Sequence, residues 1–308
     1  MSLVAQLVLV AGVLMAALFI FTWRRIERAH VAAGLAPATQ PPTGDGLGIG
    51  FVANFFDTLG IGSFATTTAY VKFRNLVRDE HLPGTLNVGH ALPTIVQAII
   101  FTTAIAVAPL TLISMVAAAV AGGYFGAGVV SKLPRRSIQL GMGIALLIAA
   151  AIFVMKVTGV LPPGGNSLGL TGGVLVFAVA VNFLLGALMQ LGIGLYAPCL
   201  MLVSLLGMNP IAAFPIMMAS CACLMPVSSL KFIRERKYDK RMAIGLALGG
   251  IPGVLIAAFI VKSLPLAWLY WLVVIVVLYA ATLMLRSALQ PQPAVNAAVN
   301  DAVQKPVR

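Results

Sequence analysis

Charge is what this sequence has least of: charged residues make up 9% of its 308 positions, only 8 of them acidic, against 60% hydrophobic residues. A soluble domain could not bury so much apolar surface, so a water-soluble globular fold is excluded. The mean hydropathy of +1.03 points the same way. Cysteine is scarce too. Cys199, Cys221 and Cys223 lie in apolar runs, and an odd number without framework spacing excludes a disulfide scaffold. The pair at 221 and 223 has no further Cys or His partner, so a closed metal site is not expected, and we read all three as small buried hydrophobes. No Ser/His/Asp constellation and no His-rich metal motif is visible, so neither an enzyme nor a cofactor is expected.

The basic residues give a net charge of +12 but fall in short clusters between apolar runs. Nucleic-acid binding needs a basic stripe with interleaved aromatics, so nucleic acid is not an expected partner. Membrane topology accounts for the clusters instead. The first apolar run, residues 3–22, has no positive charge before it and Arg24, Arg25 and Arg28 just after it. That reverses the order of a secretory signal. We expect residues 1–23 to form an N-terminal transmembrane helix with its N-terminus outside, followed by a cytoplasmic linker over 24–46. Further apolar segments occupy 47–71, 86–108, 109–130, 137–158, 170–206, 210–229, 242–261 and 265–285. A crossing needs about 20 apolar residues, which these lengths allow. Residues 288–308 read as a short cytoplasmic tail.

Two of the segments carry the same interruption. Leu59-Gly60-Ile61-Gly62 recurs as Leu191-Gly192-Ile193-Gly194, an offset of 132 residues. At that offset Phe51 also matches Phe183, Ala65 matches Ala197, and Phe64 faces Tyr196. A single Gly-x-Gly would mean only close helix packing. Paired interruptions in two halves are the sequence sign of discontinuous helices that build a transport site. Charge supports the same division. If every segment simply crossed, the loop with Lys132, Arg135 and Arg136 would lie outside, against the positive-inside rule. If 47–71 and 170–206 are instead hairpins entering from opposite faces, that loop, the Lys72 to Arg78 cluster and the Lys231 to Arg241 run all fall in the cytoplasm. The expected fold is therefore an all-α polytopic membrane protein with two inverted repeats, 47–158 and 170–287, each a broken-helix hairpin plus three transmembrane helices.

Broken backbone cannot face lipid, so the hairpin tips should line a central cavity. A half-helix beginning after Gly62 offers unpaired N–H groups at Ser63, Phe64 and Ala65, with the Ser63 and Thr66 hydroxyls nearby. The second offers those of Leu195, Tyr196 and Ala197 before Pro198. Two such termini suit a compact anion, which Gly60, Gly62, Gly192 and Gly194 would let approach the backbone. Asp57 is an acid deep in an apolar segment, and with His90, one turn from Asn87, it is a candidate for carrying a coupling proton. Either could equally serve structure, Asp57 by bonding Asn54 or Thr58 and His90 by interhelical hydrogen bonding. Asn182, Gln190 and Ser220 are the polar groups of the second half, and Gln190 adjoins the glycine segment.

The duplicated segments, Leu59-Gly60-Ile61-Gly62-Ser63-Phe64-Ala65-Thr66 and Leu191-Gly192-Ile193-Gly194-Leu195-Tyr196-Ala197-Pro198, resemble those of the TauE/SafE sulfite-exporter family. The likeness extends over about 47–285 and leaves the first run outside. Ser63 and Leu195 depart from the family pattern by replacing a later glycine, and Thr66 stands where the other half keeps Pro198. The resemblance implies a secondary transporter, an exporter of sulfite, an organosulfonate or a similar small anion across the bacterial inner membrane. Its expected partners are that anion, membrane lipid and a coupling proton or sodium ion. An anion channel using the same two helix termini is the alternative.

Overall fold

The N-terminal apolar run forms helix α1 (Leu3–Ala32), which continues through Arg24, Arg25 and Arg28. The computed structural model describes residues 3–35, 41–60, 62–160, 165–192 and 194–260, with isolated residues between 271 and 289. Residues 36–40 of the expected linker, 265–270 of the expected last crossing and 290–308 of the tail lie outside the described residues. So do Ile61 and Ile193.

Helix α2 (Gly44–Thr58) starts where the Thr43 hydroxyl accepts the Gly46 N–H at 3.0 Å, and Asp45 complements the positive end of its first turn. It stops before Gly60, whose φ of +82° takes the chain out of helical geometry. Helix α3 (Ser63–Arg74) resumes after Gly62, at φ +93°, and ends at a left-handed Asn75 behind Lys72 and Arg74. A short 3-10 turn, Asp79–His81, leads into α4 (Leu82–Ala104), then α5 (Pro109–Val130) and α6 (Arg135–Val157). The order then repeats. Helix α7 (Gly172–Met189) breaks at Gly192 and resumes as α8 (Tyr196–Leu205), and a turn at Pro210–Ala212 precedes α9 (Ala213–Arg234) and α10 (Lys240–Ile260). Shifted by 132 residues, α2 falls on α7, α3 on α8, the first turn on the second, α4 on α9 and α5 on α10. Among the described residues the fold is all-helical, with one isolated bridge between Ser167 and Met208 in place of any sheet.

Packing between the halves is reciprocal. Helix α2 packs on α10 and α7 on α5, while α4 and α9 pack on each other and in turn on α10 and α5. Small residues make these approaches close. A Cβ on Gly50 would sit 2.7 Å from the Leu246 backbone, and one on Gly126 would sit 2.6 Å from the Ala187 carbonyl oxygen. The Phe51 carbonyl meets Gly253 and its counterpart, the Phe183 carbonyl, meets Gly122.

Among the described residues six helices are long and apolar enough to cross a membrane: Leu9–Ala32, Asp79–Ala104, Pro109–Val130, Gly172–Met189, Ala213–Arg234 and Lys240–Phe259. Burial is inverted relative to a water-soluble fold. Ile113, Phe125, Val176, Phe177 and Phe259 are exposed, whereas Asn54, Asp57, Asn87, His90, Gln97, Asn182 and Gln190 are buried. Apolar groups face outward because lipid is the solvent, and polar groups collect where the helix breaks meet. Helix α1 packs on α4 and α9, and at its C-terminal end Trp23 Nε1 donates to the Tyr238 hydroxyl at 2.9 Å and Lys240 pairs with Glu27 at 2.9 Å.

Candidate functional site

The two breaks have the same hydrogen-bonded turn. Leu59 N–H donates to the Phe56 carbonyl and Gly60 N–H to that of Asp57, at 3.0 and 2.9 Å. In the second, Leu191 N–H donates to Leu188 and Gly192 N–H to Met189, both at 2.9 Å. Gly60 and Gly192 share φ values of +82° and +90°, a region closed to most side-chain-bearing residues. The N-cap residues of the helices that follow, Gly62 and Leu195, supply no side-chain cap. The first amides of α3 and α8 lie at the positive ends of their helices without a cap from that residue, and the Asp57 carboxyl lies beside the Ser63 backbone N–H.

Both breaks open on one cavity. Its walls include Asp57, Gly62, Ser63 and Phe64 from the first break, Met189, Gly194, Leu195 and Tyr196 from the second, and Thr94, Cys221 and Met225 from α4 and α9. Its free volume is about 10 Å³, roughly one water position. A Cβ on Gly62 or Gly194 would meet nothing within 4 Å, so both glycines face open space. The cavity is small, and the described residues of its lining include no lysine or arginine. Among the described residues no three His, Cys, Asp or Glu side chains gather in a way that could hold a metal ion.

Asp57 is the one carboxylic acid in this lining. It is 2% exposed, and Ser63, Gln97 and Tyr196 lie about its carboxyl group. Its Oδ2 nevertheless has no hydrogen-bond partner of ordinary geometry. Leaving such an atom buried and unpaired costs about 1–3 kcal/mol; Thr68, Asn87, Asn182 and Gln190 also carry a buried unpaired atom, but Asp57 alone among them lines the cavity.

The other expected site residues divide. Ser63, Phe64, Leu195 and Tyr196 line the cavity with Gly62 and Gly194. Gly60 packs on the Phe214 ring and Gly192 on the Met142 side chain, so these two shape the turns from behind. Ala65 is buried, and Thr66 returns its hydroxyl to the Ser63 carbonyl at 2.9 Å. Ala197 lies in the first turn of α8. Gln190 is buried, donates to the Gly186 carbonyl at 3.4 Å and does not reach the cavity wall.

His90 and Asn87 do not line the cavity either. The His90 ring is bonded on both sides, Nδ1 to Asn54 at 2.9 Å and Nε2 to the Thr67 hydroxyl at 3.0 Å, and it lies against Phe64. Asn87 donates to the Pro83 carbonyl at 2.9 Å. These contacts tie α4 to α2 and α3. The His90 bonds are thus interhelical.

Sequence reading passed over Thr94 and Gln97. Gln97 accepts from the Tyr196 hydroxyl at 2.7 Å and donates to the Thr58 hydroxyl at 3.0 Å, which joins the two breaks through α4. An amide in the middle of the apolar run of α4 was the available signal. In a lipid-embedded helix such a group needs a partner.

Residues 174–306 match the family described as Sulfite exporter TauE/SafE. The match spans the second glycine segment and the helices after it, and it is the family that the duplicated segments resemble. Comparisons with curated proteins and with solved structures find no match. The six membrane-length helices among the described residues fit an integral membrane protein, and over residues 174–306 its sequence is similar to that transport family.

Proposed function

We propose that this chain is a secondary transporter that exports a small anion, such as sulfite or an organosulfonate, across the bacterial inner membrane. The observation that carries the reading is a cavity walled by both helix breaks, with two helix N-termini whose N-cap residues supply no side-chain cap at its edge. Backbone amides at a helix start bind anions without a positively charged side chain, and glycine lets the anion come close. In this site residues of both tips, Gly62, Ser63 and Phe64 with Gly194, Leu195 and Tyr196, hold the substrate.

The two series of helices, 47–158 and 170–287, form inverted repeats in this reading. A hairpin returns to the side it entered from and three crossings follow, so the second repeat begins on the opposite face. The N-terminus lies outside and the C-terminus in the cytoplasm, with Arg78, Lys132 and Lys237 on the cytoplasmic side. Reciprocal packing between the halves supports alternating access, because exchanging the two arrangements would open the same cavity to the other face. The small volume of the cavity, about 10 Å³, favours a transporter over a channel, which would need a continuous aqueous path.

Uptake into proteoliposomes decides the class and substrate together. Saturable counterflow of labelled sulfite or a sulfonate, competed by other small anions, is the expected result. Currents far above transporter turnover would establish the channel instead. Single cysteines near 78 and 134 should label from the same side, and labelling from opposite sides would refute the inverted hairpins.

A further inference from the structure

Asp57 places a carboxyl where the proposed anion would sit. It lines the cavity beside Gly62 and Ser63, near the start of α3, and its Oδ2 is buried without a hydrogen bond. At the equivalent place in the second half stands Met189, so the two helix starts face only one acid between them. The groups around it come from five other helices. Ser63 belongs to α3, Thr94 and Gln97 to α4, Met189 to α7, Tyr196 to α8 and Cys221 to α9. Tyr196 and Cys221 are the titratable ones, and both are neutral when protonated. His90 is turned away toward Asn54 and Thr67.

With no cation among the described residues of the lining, two helix termini can balance about one negative charge and not two. We propose that Asp57 and the transported anion occupy this one-charge site alternately: the anion enters when Asp57 takes up a proton at Oδ2, and leaves as the proton returns to water. One proton then moves with each anion, and a monoanion crosses without net charge. Protonation also gives Oδ2 a donor, which can reach an anion oxygen, so the unpaired atom acquires its partner only in the loaded state. No bond other than the O–H forms or breaks. This inference rests on the anion site proposed above and adds to it a coupling residue and a stoichiometry.

The test uses the full chain in lipid nanodiscs and methanesulfonate, which remains a monoanion between about pH 5 and about pH 8 and so removes titration of the ligand itself. Wild-type affinity should fall by about tenfold per pH unit once the carboxyl ionises, with uptake of about one proton per anion by calorimetry in buffers of differing ionisation enthalpy. Asp57→Asn should bind with no pH slope, and at about pH 8 at least about tenfold more tightly than wild type. Asp57→Glu should keep a slope. A wild-type slope retained by the Asn variant, or binding without proton uptake in wild type, overturns the coupling while leaving the anion site intact. If wild type and variants unfold cooperatively yet none binds methanesulfonate, sulfite or thiosulfate at any pH, the anion site itself falls and the coupling with it. Should Asp57→Asn fail to fold, the wild-type proton count and the Glu variant still decide.

Discussion

The Tyr196 hydroxyl donates to the Gln97 side-chain carbonyl across 2.7 Å, and the Gln97 amide donates in turn to Thr58, two residues before the first break. Thr58 passes its own proton to the Asn54 carbonyl at 2.8 Å. A chain of three hydrogen bonds thus runs from the first turn of α8, through α4, to the end of α2. Helices α2 and α8 belong to different halves of the chain, so this chain of bonds makes the position of one break sensitive to the other.

Removing the Tyr196 hydroxyl tests that linkage. Tyr196→Phe leaves the Gln97 carbonyl oxygen buried without its donor, which should cost about 1–3 kcal/mol. A lowered midpoint of thermal unfolding in detergent or nanodiscs is expected. Adding Gln97→Leu should recover part of the loss at the Tyr196 end, because both polar partners are then gone. Additive losses in the double variant would mean that the two side chains do not act as a pair.

The two cavity glycines should respond differently to alanine, though both face open space. Gly62 sits at φ +93°, where alanine costs about 1–2 kcal/mol of backbone strain. Gly194 is not among the positive-φ glycines, so alanine there adds only a methyl group to the cavity. Gly62→Ala should therefore lower both stability and anion transport, and Gly194→Ala should lower transport with an unchanged melting midpoint. Equal destabilisation by the two would contradict the geometry.

How much of this was legible beforehand differs by residue. The helix breaks were, because glycine recurring at one offset marks a backbone demand that composition alone does not. Asp57 stood out because an acid in an apolar run is costly. His90 illustrates the limit. Its proximity to Asn87 in sequence suggested a shared cavity face, but orientation on a helix is fixed by tertiary partners, and Asn54 and Thr67 hold the ring elsewhere. Gln97 was missed for the converse reason, since its importance comes from Tyr196, 99 residues away. The attachment of α1 was equally hidden. Nothing in its own run foretells that Trp23 and Glu27 meet Tyr238.

That attachment predicts an alkaline limit. Burial first, and then the hydrogen bond it donates to Glu27, push the Tyr238 phenol above the usual value of 10.0. The folded state therefore holds this proton more tightly than the unfolded chain does. Its contribution is complete below pH 10, the ordinary tyrosine value, and is lost progressively as pH rises through that value toward the folded one. Cross-linking of α1 to α10 through cysteines at their facing ends should be unchanged up to that pH and weaken above it. Tyr238→Phe should give weaker cross-linking at neutral pH and remove the alkaline transition.

A buried ion pair supplies the sharpest stability prediction. Lys72 Nζ lies 2.6 Å from Asp79 Oδ1, and the Gln139 amide donates to Asp79 Oδ2 at 2.6 Å, joining the end of α3 to the turn before α4 and to α6. The Lys72 and Asp79 side chains are 9% and 3% exposed, so water does little to solvate either if its partner goes. Lys72→Met should be destabilising, by up to about 3–5 kcal/mol, since it removes a charged partner from a buried carboxylate. Lys72→Met combined with Asp79→Leu should be less damaging than the single change, because the buried carboxylate goes with its lysine even though Gln139 loses its acceptor. Pairs at the lipid–water boundary are screened by salt unless buried, so the difference should persist in high salt. A single variant as stable as wild type would show that water reaches this pair and that α3 is not fastened here.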